Sequence, residues 1–273
     1  MEGALLTWWL VLCSAAAANI VVWTWSARRI LFRTPSWPRD QLSTRRRLLL
    51  LSAGYVAGCA FRSLLPMVDV ERMCLHHTWL SQIAVGRTVA TIAELCFAMQ
   101  WALLLREGGT VCKPAYFASR LIVPLIAVAE LFSWGAVITS NYLLHAIENS
   151  LWTVAAVLAL CGFLSLRRNA AAATARFLNA ASICAGTYIL FMATVDVPMY
   201  LSRWQQSGAA GDGSLPIAEG LRTLFSQCNV VHDWNAWRED IPWLTLYFTV
   251  AVWISIALAH APSLKPTRKS PPR

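Results

Sequence analysis

Charge is scarce in this chain. Only 14% of its 273 residues are charged, against 57% hydrophobic, where a soluble domain carries about 25% charge. That shortage excludes a disordered chain, a coiled coil and an ordinary water-soluble enzyme, because too little polar surface remains to face water. Lysine is rarer still. Lys113, Lys265 and Lys269 are the only three, and none lies in an apolar run, so a retinal Schiff base within a span is excluded. The eight cysteines form no CxxC pair and show no zinc-like spacing. There is no Walker A, GxSxG or haem-attachment motif. His260 stands alone near the last apolar run, where zinc hydrolases of the ceramidase type carry an HxxxH. Period-2 alternation is missing, which argues against a membrane β-barrel.

What is present is seven apolar runs of about 20 residues, the length that crosses a bilayer core. They are 5–25, 48–66, 82–105, 117–139, 143–165, 177–200 and 241–261. The expected fold class is all-α: a polytopic membrane protein whose residues 1–273 form one bundle of seven transmembrane helices. The second and sixth runs share Ala-Gly and Pro-Met at one offset, and the third and seventh share Thr-Val-Ala. This hints at a parallel repeat, but the Pro-Gln signature of sugar carriers built that way is absent.

The charges sort by side. Sixteen basic residues lie in the first, third and fifth connections and the tail: Arg28, Arg29, Arg33, Arg39, Arg45, Arg46, Arg47, Arg106, Lys113, Arg167, Arg168, Arg176, Lys265, Arg268, Lys269 and Arg273. The opposite connections hold only Arg72, Arg203, Arg222 and Arg238. The positive-inside rule puts the crowded side in the cytoplasm. The N-terminus is then outside and the C-terminus inside, in a multi-pass protein of the cell membrane. The net charge of +9 is thereby topological: membrane lipids are expected partners and nucleic acid is not. The first run has no basic segment before it and an Arg pair after it, the reverse of a cleaved signal peptide.

Cys74 and Cys228 are the two cysteines in outer connections, and a disulfide between them is expected where oxidation is permitted. The longest connection, 202–240, is rich in Trp and apolar residues, and is expected to fold back over the outer face as a lid. Trp8, Trp9, Trp79, Trp134, Trp152, Trp204, Trp234, Trp237 and Trp243 all fall toward that side, where indoles anchor at the headgroups.

The functional signal is the set of ionisable residues inside the runs: Arg62, Arg87, Glu94, Glu130, His145, Glu148 and Asp196. Each is costly in lipid unless paired or hydrated, and such residues mark working sites. All fall in the outer half or at its floor, which points to one polar cavity open to the outside. Helical spacing puts Arg87, Thr91 and Glu94 on one face, and His145, Glu148, Asn149 and Trp152 on another. Arg62–Asp196 and Arg87–Glu94 are the expected ion pairs. His145-x-x-Glu148 would give two metal ligands, with Glu94, Glu130 or His232 completing the set.

Three functions fit. The first is transport or sensing of a small polar solute, cation or proton. The second is a membrane-embedded enzyme acting on a lipid or other apolar substrate from the outer side, with Glu94, Glu130 and Glu148 as catalytic candidates and Arg62 or Arg87 holding an anionic headgroup. The third is a non-catalytic subunit of a membrane complex, paired with a partner or a second copy. No cofactor is assigned.

Overall fold

The computed structural model describes residues 3–32, 39–110, 112–168, 170–210, 214–226 and 228–264. Arg33, Gly211, Gly213 and the basic tail of Lys265, Arg268, Lys269 and Arg273 lie outside them. Helices form at every apolar run: α1 (Gly3–Phe32), α2 (Arg39–Leu64), α3 (Ile83–Gly108), α4 (Lys113–Thr139), α5 (Tyr142–Arg167) and α6 (Ala172–Phe191). A π turn, Met192–Asp196, carries α6 on into α7 (Val197–Ala210). Pro198 lacks an N–H and crowds the carbonyl four residues back, and the widened turn before it accommodates both. Two short helices follow, α8 (Ile217–Leu224) and α9 (Trp234–Trp237). The last run is α10 (Ile241–Phe248) and α11 (Val250–Ala259), broken at Thr249.

Among the described residues, six helices are long and apolar enough to cross a membrane: α1, α3, α4, α5, the α6–α7 rod and α10–α11. The expected second span is not among them. Pro66 disfavours helix at the residue before it, and α2 ends at Leu64. Its apolar stretch is bounded by Arg47 and interrupted by Arg62. Position explains why α2 tolerates this. It packs against α1, α3, α10 and α11, with Arg45, Tyr55, Cys59 and Arg62 buried. A helix walled in by others can carry charge that a lipid-facing helix cannot.

Small residues bring α2 and α3 together. A Cβ added to Gly54 would lie 2.8 Å from Cys96 Sγ and one added to Gly58 2.7 Å from Ala93 Cβ, so these two glycines, spaced as GxxxG, let the helices approach as such spacing does in membranes. At the expected cytoplasmic end, buried Arg45 pairs with Glu107 at 2.9 Å and donates to the Pro262 carbonyl. Gln100 donates to the carbonyls of Leu48 and Ser255. These bonds pin α2, α3 and α11.

The opposite end carries a small sheet that the sequence did not announce. β1 (Met67–Val68) and β2 (Met73–Cys74) form a hairpin, and β3 (Asn229–Val230) pairs parallel with β2. A disulfide joins Cys74 to Cys228, Cα atoms 5.8 Å apart, and so ties loop 67–81 to the connection 202–240. That connection divides. α8 packs on the end of α4, with Leu224 against Val137. Trp237 is fully buried, its ring 5.8 Å from that of Trp8.

Candidate functional site

The hairpin drops directly onto α3. A Cβ at Gly86 would meet Met67 Sδ at 2.0 Å, so the bare glycine is what leaves room for the buried Met67 side chain in its present place. That descent delivers Asp69 into the bundle, where it is buried. Asp69 takes Arg62, at 3.1 Å, and approaches Arg87 at 3.8 Å. The expected Arg62–Asp196 pair is therefore corrected: Arg62 is held by Asp69 and by the Met67 carbonyl, while Asp196, 2% exposed, accepts from Asn149. Asp69 was missed because it lies outside the apolar runs. Its one signal was an acid between Val68 and Val70.

Arg87 is the hub. Its Nη2 lies 2.8 Å from Glu94 and 2.7 Å from Glu130, and its Nη1 lies 4.0 Å from Glu148. Thr91 donates to Glu130 at 2.7 Å and receives the Trp134 indole N–H. Tyr247 donates to Glu94 at 3.0 Å. His145 Nδ1 bonds Glu148, so a carboxylate orients the imidazole as in general-base pairs. Six elements thus meet here: the hairpin, α2, α3, α4, α5 and α10.

Beside this cluster lies a cavity of about 590 Å³. Arg62, Arg87, Glu94, His145, Glu148 and Asn149 line it. Thr91, Glu130 and Asp196 do not. They stand behind the lining and hold Arg87 and Asn149 in place. Asp69, Glu71, Tyr200 and Asp240 are lining residues that the sequence reading omitted. Glu71 and Asp240 share Arg203, at 2.7 and 3.5 Å, and Glu239 reaches it at 3.0 Å. Asp240 lies just outside the last span; burial pushes its carboxyl up to about 6, against the pull of Arg203 and with help from Glu71.

Most of the cavity is not polar. Below Glu94 its wall is Phe97 and Trp101 of α3, Trp152 and Phe163 of α5, Phe177, Ala181, Ala185 and Tyr188 of α6, and Tyr247, Ala251, Ile254 and Leu258 of α10–α11. α6 packs along α5, whereas α11 packs on α2 and α3. The cavity lies between these two groups and reaches the outer surface of the bundle at Ile183, Cys184, Leu246 and Val250, which line it and are exposed.

Metal candidates separate. Glu94, Glu130 and Glu148 offer oxygens within 4.8 Å of one another, but the Arg87 guanidinium already lies between them. His232 does not join them: it bonds the Leu75 carbonyl beside the small sheet that caps the bundle. No family model, curated protein or solved structure matches this chain.

Proposed function

We propose that this protein of the cell membrane crosses it seven times, α2 included, with the N-terminus outside, and holds an amphipathic molecule taken from the outer leaflet. One observation carries the reading. The cavity is polar at one end, aromatic and aliphatic along the rest, and open sideways between α6 and α10–α11. Ligand pockets of this kind bury an apolar body and orient it with a few polar groups. His145, oriented by Glu148, is the group placed to take a proton from the bound head or return it.

Handling of a small cation or proton is the second reading. It draws on the Glu94 and Glu130 carboxylates bridged by Arg87. The apolar lining below Glu94 gives it less support, since an ion needs polar groups along its way.

A photoreactive long-chain alcohol tests the proposal. It should cross-link to the α6 and α10–α11 walls in lipid nanodiscs, and Ala185→Trp should remove that labelling at least fivefold by filling the chamber. Labelling spread evenly over the lipid-facing helices, unchanged by the variant, would overturn it.

A further inference from the structure

The charge balance at the polar end says what kind of head the cavity accepts. The sequence alone left Arg62 and Arg87 as holders of an anionic headgroup. The structure consumes both: Arg62 by Asp69, and Arg87 by Glu94 and Glu130 with Glu148 close by. Arg203, the third cation, is taken by Glu71, Glu239 and Asp240. Carboxylates outnumber arginines throughout this end. Two of their oxygens, Glu71 Oε2 and Glu130 Oε1, are buried with no hydrogen-bond partner among the described residues. Glu130 is 3% exposed, and it offers an oxygen within 4.8 Å of oxygens from Glu94 and Glu148, both of which line the cavity. A phosphate or carboxylate head would add negative charge to a buried site already rich in it, which desolvation and repulsion both oppose. An ammonium brings three donors and one positive charge.

The apolar chamber sets the other half. From Tyr188 to Phe177 its α6 wall runs about 16 Å at the helical rise, a length suited to a medium hydrocarbon chain. We infer that the ligand is a cationic amphiphile: a protonated primary amine on a long alkyl chain, its head among Glu94, Glu148 and Asp69 and its tail between α6 and α10–α11.

This rests on the amphiphile reading above, and the test separates the two. A photoreactive long-chain amine is cross-linked to the protein in nanodiscs of zwitterionic lipid at pH 8, and dodecylamine, dodecanol and dodecanoate compete. The expected result is that dodecylamine competes at least tenfold better than the other two. Glu148→Gln should cut that preference severalfold, and Glu71→Gln, at the cavity rim, provides a second readout should the first variant fail to fold. Equal competition by dodecanol or dodecanoate would overturn the cationic head while leaving the amphiphile site intact. Absence of cavity cross-links from both the amine and the alcohol probe would overturn both.

Discussion

Arg87 shows how one residue can hold an intramembrane site together. Its planar guanidinium spans Glu94 and Glu130 through one nitrogen and faces Asp69 and Glu148 with the other. Replacement by Met leaves buried carboxylates without a counter-charge, a change that costs about 3–5 kcal/mol where a buried pair is broken. Thermal unfolding in detergent should show that loss. Arg87→Lys should recover only part of it, because an ammonium cannot reproduce the fork.

Asp240 gives a pH signature at the same scale. Its folded pKa of about 6 lies above the ordinary aspartate value near 3.9, so the fold binds this proton more tightly than the unfolded chain does. Its contribution to stability is therefore greatest below about pH 4, falls as pH rises to about 6, and is level above that. Arg203, Glu71 and Glu239 are the charged neighbours of this site. Thermal unfolding of Asp240→Asn across pH 4–7 should lack that component of the slope.

At the scale of elements, the cap that carries the small sheet is built from pieces too short to stand alone. Three two-residue strands gain their order from the disulfide and from Gly86. Cys74 and Cys228 are separated by 154 residues, and removing a native cross-link typically costs about 2–5 kcal/mol. Cys228→Ser should lower stability by that order and make the 214–240 segment more readily cut by an external protease. It should also loosen Asp69, seen as weaker competition by dodecylamine in the cross-linking assay. The helices themselves were legible because each apolar run is about as long as a bilayer core is thick. The hairpin was not, because two-residue strands carry no period to read, and its meaning lies in the surface onto which it lands. The π turn at Met192–Asp196 had one visible cause, Pro198, but its place against α5 did not show in the sequence.

The whole molecule is a bundle with one wall set apart. α6 leans on α5, and α10–α11 leans on α2 and α3, leaving the chamber between. Membrane-impermeant maleimide should modify a cysteine placed at Ser226 from outside in intact cells and leave Cys112 unlabelled until the membrane is opened. The reverse pattern would invert the proposed orientation.

Composition and the length of the apolar runs determined that this chain is a helical membrane protein, because in lipid a helix satisfies its own backbone. They also singled out Arg62, Arg87, Glu94, His145 and Glu148, because charge within a span is too costly to be incidental. Which of these charges meet was decided only in three dimensions. Asp69 enters from a loop, Glu130 and Asp196 withdraw behind the lining, and His232 is drawn off to the cap. Pairing depends on helix rotation and on how closely Gly58 and Gly86 let their neighbours approach, and neither quantity is written in the spacing along one chain.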